Sequence, residues 1–194
     1  MKKYVFILLL TVLSASAYAQ VSFGPKLGLN ISKLSFTDDD FKTGFRPGFA
    51  IGGVVNYKVM EKLSVQAELF YSMESTSEKR ISTDAKGHIN MSFVHLPILV
   101  QYAVFKGLYA EAGPQIGFLV SAKESYGSQD AEDIKQYYKK TDIRFPVGVG
   151  YNLPIDGLSA GIRYSFSLSK LNTVEVGGGN LKFHTICLSA AYRF

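Results

Sequence analysis

A single cysteine, Cys187, stands in this 194-residue sequence, which excludes an internal disulfide framework. Small exported domains commonly rely on such bridges, so other forces must hold this one together. Long apolar runs are also missing. After the first twenty residues nothing reaches the roughly 18 apolar residues that a membrane-crossing helix takes; the longest candidate, 94–105, is interrupted by His95, Pro97 and Gln101. Charge of one sign is not concentrated anywhere. Removing residues 1–19 leaves 19 basic against 16 acidic residues, and the basic ones are scattered, which argues against a nucleic-acid partner. No nucleophile-elbow motif and no glycine-rich phosphate loop appear, and Gly177-Gly178-Gly179 reads as a turn. The three histidines, His88, His95 and His184, show no metal-ligand spacing with the acids. The sequence therefore offers no catalytic, cofactor or metal site, and a non-enzymatic protein is expected.

The first segment present is an export signal. Lys2 and Lys3 precede an apolar run, Tyr4 to Leu13, and a small-residue site at Ala17-Tyr18-Ala19. This is the pattern of a secretory signal peptide over 1–19, leaving a domain over 20–194. The first residue of that domain is Gln20 rather than cysteine, so a cysteine-anchored lipoprotein is excluded.

The rest of the chain alternates. In Gly157 to Ser169 the even positions are Leu158, Ala160, Ile162, Tyr164, Phe166 and Leu168, and the odd ones are glycine, serine and Arg163. A strand sends successive side chains to opposite faces. The same period recurs in 21–32, 46–57, 63–74, 94–104, 108–120, 143–152 and 181–194, which predicts eight strands. Short connections lie near 58–62, 105–107 and 154–157, and long polar ones near 33–45, 76–89, 122–140 and 170–180; a short helix is expected over 131–140. Short turns at one end and long loops at the other describe an eight-stranded antiparallel up-and-down transmembrane β-barrel, an all-β fold. The competing architecture is a soluble, lipocalin-like binder with the apolar face inside.

Three observations favour lipid on the apolar face. The polar face is dominated by glycine and serine, with Lys26, Glu68, Glu111, Arg144, Arg163 and Arg193 interspersed; a small barrel has room inside only for such side chains, and its charges should form an interior polar network. Aromatic residues flank the apolar face as two girdles, Phe23, Tyr57, Tyr102, Tyr151, Tyr192 and Phe194 at one end and Tyr71, Phe118, Phe145 and Phe166 at the other. The chain ends on Phe194, preceded by twos by Tyr192, Ala190, Leu188 and Ile186. Ile186, Leu188, Tyr192 and Phe194 resemble the C-terminal signal by which barrel-insertion machinery reads outer-membrane proteins. Prolines count against regular strands, because they cannot donate to a ladder. Pro47 is expected to open its strand, one bulge could accommodate Pro97 and Pro114, and nothing in the sequence accounts for Pro25 or Pro146.

Residues 95–124, HLPILVQYAVFKGLYAEAGPQIGFLVSAKE, resemble the outer-membrane β-barrel domain family of Bacteroidetes, which includes PorT-like proteins. The carrying stretches are Leu96 to Tyr102 and Tyr109 to Leu119, with FGPKLGLNIS and GVGYNL in support. The resemblance implies an eight-stranded barrel in the cell outer membrane of a Gram-negative organism, and no agreed activity.

The expected role is structural, adhesive or part of a surface or secretion assembly, exerted through external loops such as those holding Asp38-Asp39-Asp40 and 130–140. Expected partners are outer-membrane lipid and lipopolysaccharide, the insertion machinery through the last strand, and a surface or secretion-complex protein. Alternatives are a narrow solute or ion pore through the interior charges and a lipid-modifying enzyme built on His184, which falls on the lipid-facing register near the external rim.

Overall fold

The computed structural model describes residues 20–35, 41–80, 86–126, 131–173 and 181–194. The proposed signal segment and parts of the four long connections lie outside them. Ten strand segments are present: β1 (Val21–Ser35), β2 (Phe41–Lys58), β3 (Leu63–Arg80), β4 (Lys86–Phe105), β5 (Leu108–Ala112), β6 (Gln115–Tyr126), β7 (Glu132–Asp133), β8 (Thr141–Asn152), β9 (Leu158–Ser167) and β10 (Lys182–Tyr192). All pair antiparallel. β5 and β6 are two halves of one strand between β4 and β8, and β1 pairs with β10, so the sheet closes as a ring of eight. The tight turns at Lys106-Gly107 and Asp156-Gly157 place glycines at φ 86° and 79°, a left-handed conformation that side chains with a Cβ resist.

Alternation in the sequence becomes inside and outside in the ring. Leu29 is 67% and Leu188 52% exposed, whereas Glu68 is 2% and Arg163 6% exposed. Apolar residues thus cover the exterior and charged ones fill the centre, the reverse of a soluble barrel. The outward run from Val21 to Ile31, at about 3.3 Å per residue and a tilt of about 40°, spans about 25 Å of hydrocarbon. Among the described residues no helix is long and apolar enough to cross a membrane; the strands do the crossing. Aromatic contacts mark both edges of the band: Phe23–Phe194 and Tyr192–Phe194 at the short-turn end, Phe49–Tyr71 and Phe145–Phe166 at the other.

At the long-loop end the pattern inverts. In β4 the outward residues are Val94, Leu96 and Ile98, but one turn of the pleat higher Ile89, Met91 and Phe93 are buried inside. Likewise β1 changes from outward Ile31 to inward Leu34, and β10 from outward Leu188 to inward Phe183. Above this level lipid no longer covers the exterior, so the apolar residues turn inward. Leu34, Ile89, Met91, Phe93, Leu119, Ala122, Ile134, Leu171, Leu181 and Phe183 form a buried cluster there, with Tyr138 against it. Burial there, with Glu124 and Glu78 nearby, pushes the Tyr138 phenol above its ordinary range.

Several expectations are corrected. Much of the sequence read as loop is strand: β2 starts at Phe41, β3 runs to Arg80, β4 starts at Lys86 and β6 reaches Tyr126, because the hairpins continue as paired ribbons beyond the bilayer. No α-helix forms over 131–140; the segment is β7 followed by one 3-10 turn, Lys135–Tyr137. Pro47 does not open its strand but lies in a register shift between Phe45 and Phe49. Pro97 and Pro114 share no bulge: Pro97 pairs with Gln115, and Pro114 accepts a bond from the Ile98 amide in unbroken register.

The two unexplained prolines now have a physical reason. Pro146 accepts a 3.3 Å bond from the Gly113 amide, and the return bond that its missing N–H cannot give falls in the gap where β5 gives way to β6, so the forfeited ladder bond coincides with that break. Pro25 stands at a break in the β1–β10 seam, between the ladder that begins at Lys26–Ala191 and the 2.9 Å bond from the Phe194 amide to Phe23.

Candidate functional site

The interior is built in layers from inward positions of different strands. Arg163 on β9 reaches across to Glu68 on β3, its Nη1 and Nη2 each donating at 2.8 Å, and its Nε donates to Glu111 on β5 at 2.7 Å. Lys26 on β1 completes the cluster with bonds of 2.9 and 3.0 Å to the same Glu68 carboxylate. Toward the short turns, Gln66 donates to Glu68 at 2.6 Å, Gln101 to Glu111 at 2.8 Å and Asn56 to Gln101 at 2.8 Å. Each charge is therefore paired and further hydrogen-bonded, the condition under which buried ions are tolerated.

A second cluster lies nearer the long hairpins. Arg144 on β8 donates through Nη1 to both Glu74 oxygens at 2.9 and 2.8 Å and through Nε to Asp142 at 2.6 Å. His95 on β4 meets Glu74 at 3.1 Å and Gln115 at 3.0 Å, and Ser167 donates to Asp142 at 2.9 Å. The Arg144 guanidinium then stacks under Phe93 and Phe183, 5.0 and 5.2 Å from their ring centroids, which joins the polar layers to the apolar cluster above. A void of about 20 Å³ remains between the two ionic clusters. At the short-turn mouth a cavity of about 530 Å³ is lined by Asn56, Gln101, Tyr109, Asn152 and Arg193, among others.

Of the residues predicted for the interior network, Lys26, Glu68, Glu111 and Arg163 form one cluster and Arg144 anchors the other. Arg193 makes no ion pair in either cluster but is tied to the first through Gln66, to which it donates at 3.3 Å, and it also binds Asn152 at 2.7 Å near the mouth. Glu74, Asp142 and His95 were not predicted members. Each sits on the inward register of a strand that alternation had already defined, so their parity was the available signal. Ile186, Leu188, Tyr192 and Phe194 face outward on the closing strand. His184 also faces outward, and its Nδ1 lies 2.7 Å from the Tyr164 phenol. Among the described residues no serine or carboxylate is bonded to that ring, as a hydrolytic site would need. No group of His, Cys, Asp and Glu among them could hold a metal ion.

A profile of the outer membrane protein beta-barrel domain matches residues 15–172. The chain belongs to that family. Membership places the protein in the outer membrane and agrees with the exposed apolar band. The fold is shared with Ail, the attachment invasion locus protein of Yersinia pestis, solved with the heparin analogue sucrose octasulfate: TM-score 0.51, 18% identity, covering 90% of this chain and 99% of that one. Neisserial surface protein A is similar in the same way, with TM-score 0.55, 14% identity and coverage of 89% and 97%. Curated protein sequences offer no match. In outer-membrane barrels the short turns face the periplasm and the long loops the exterior.

Proposed function

We propose that this protein is a non-enzymatic surface component of the outer membrane, a rigid platform whose external hairpins attach to another macromolecule. The observation that carries the reading is the apolar cluster above the bilayer. A barrel that served only as a plug has no use for a second core outside the membrane. Here Leu34, Phe93 and Phe183 from the barrel pack with Ile134 and Leu171 from the connections, which fixes the external segments on a stiff base. Binding residues usually sit on loops held by such scaffolds.

The attachment role named for Ail and the surface location named for the Neisserial protein support the same reading, as does the resemblance to PorT-like proteins for a secretion-assembly variant of it. Delivery would use the 1–19 signal peptide, insertion the Ile186–Phe194 comb, and the surrounding lipid and lipopolysaccharide would be the standing partners.

The test is cell attachment. Residues 36–40, 81–85, 127–130 and 174–180 are replaced together by short Gly-Ser turns, and both chains are expressed in a non-adherent Gram-negative host. Equal membrane levels and heat-modifiable gel mobility with lost attachment to matrix-coated surfaces is the expected outcome. Equal attachment by both chains would reject the platform. The pore reading has weaker support, because two ionic clusters and an apolar layer stand in the lumen.

A further inference from the structure

Four strands adjacent in the ring, β9, β10, β1 and β2, contain no aspartate or glutamate. Two cations that point inward from this wall, Lys26 and Arg163, reach carboxylates on β3 and β5 across the lumen. Those that point outward have no such recourse. Lys33 stands directly across the β1–β10 ladder from His184, and Lys182 is the next outward residue along β10. Both lysines are within electrostatic reach of the His184 ring. The Lys33 ammonium lies 5.8 Å from the Phe45 ring centroid, and the His184 ring stacks on Tyr164, with centroids 6.1 Å apart.

The height of this cluster is fixed by its neighbours. Ile31 and Ile186 lie one outward position below Lys33 and His184, on the apolar band. The inward side at the same level is already the apolar cluster of Leu34 and Phe183. The cations therefore sit where acyl chains end and headgroups begin, and among the described residues no salt bridge joins Lys33 or Lys182 to a carboxylate. Lys33 and Lys182 are diagonal neighbours across the ladder, close enough for their charges to repel, and an anion from outside the chain relieves them.

We propose that Lys33 and Lys182, with His184 between them, form a binding site for the phosphate of an anionic outer-leaflet lipid. A lipid is the occupant that fits, because Ile31 and Tyr164 one outward position below, with Phe45 and Phe166 alongside at the same level, supply a surface for its acyl chains. The second ring nitrogen of His184, which Tyr164 does not engage, supplies a hydrogen bond to a phosphate oxygen. Lysines near a membrane surface contribute enough each to change affinity about fivefold, so the pair predicts about a 25-fold preference for a phosphorylated headgroup.

The experiment is native mass spectrometry of the purified full chain in detergent, titrated with bisphosphorylated lipid A, with the same lipid after dephosphorylation, and with inorganic phosphate. Wild type should bind the phosphorylated lipid about 25-fold more tightly, and inorganic phosphate at millimolar level should not displace it. K33Q/K182Q should bind both lipids alike, while K62Q/K106Q at the short-turn end keeps the preference. Gel mobility before and after heating reports the fold of each variant. Equal affinity of wild type for the two lipids, an unchanged preference in K33Q/K182Q, or full displacement by phosphate would each overturn the site. None of these readouts depends on cell attachment, so the site and the platform stand or fall separately.

Discussion

Arg163 and Glu68 face each other across the lumen as a two-pronged ion pair, 95 residues apart in sequence and 2.8 Å apart at both contacts. Glu68 also holds Lys26, so one carboxylate compensates two buried cations. Substituting Glu68→Gln leaves Lys26 without its bonded carboxylate and Arg163 with Glu111 alone. Removing one partner of a buried ion pair costs about 3–5 kcal/mol, and a loss of that size is expected here. Because the chain has no tryptophan, urea unfolding is followed by the loss of heat-modifiable gel mobility. A midpoint within error of wild type would contradict the assignment.

The lumen is expected to be silent. In planar bilayers the wild-type chain should show no stable conductance steps, because the Arg163–Glu68 and Arg144–Glu74 clusters and the Phe93–Phe183 pair obstruct it in turn. Reproducible channels at moderate voltage would restore the pore reading and displace the platform.

Leu188 and Ser189 are consecutive on β10 and face opposite ways. Leu188→Arg puts a charge against lipid near the middle of the band, at an expected cost of about 2–4 kcal/mol; Leu188→Phe should cost little. The native Cys187 is a second reporter of the same geometry. It faces the lumen beside Gly28, Lys26 and Arg163, so a water-soluble maleimide should label it slowly in the folded protein and fast after unfolding. Rapid labelling of folded protein would mean that water, not the packed network, surrounds Cys187 in the lumen.

Leu171 is fully buried in the external cluster, outside the membrane band. Leu171→Ala should cost about 2–5 kcal/mol locally and release the neighbouring connections to protease, while the barrel stays heat-modifiable. Limited proteolysis of intact cells reads this directly. Wild-type protection in the variant would mean the external core does not hold the hairpins.

How far the sequence could be read depended on period and parity. Period two fixed the eight-stranded ring, and parity put Lys26, Glu68, Glu111 and Arg163 inside, because a closed barrel has only two faces. The hairpin extensions were misread as loops: Ser75, Thr76 and Ser77 look like linker residues, yet they are paired ribbon, and polarity alone does not separate solvated strand from loop. The external core was written in the sequence as a phase change, from Ile89, Met91 and Phe93 on odd positions to Val94, Leu96 and Ile98 on even ones. A search for one continuous alternation passes over that switch. The pairing of Arg144 with Glu74, by contrast, depends on barrel shear across β3 and β8, which no local pattern encodes.

The crossing of Arg163 to Glu68 also bears on how the barrel is assembled. Strands β1 to β4 alone offer Glu74 to the hydrocarbon without Arg144, and strands β8 to β10 alone offer Arg163 without any acid of β3. Neither half can enter a bilayer with its charges neutralised, so electrical balance and ring closure arrive together. A chain stalled before its last strands therefore still carries bare ions where the finished ring carries paired ones.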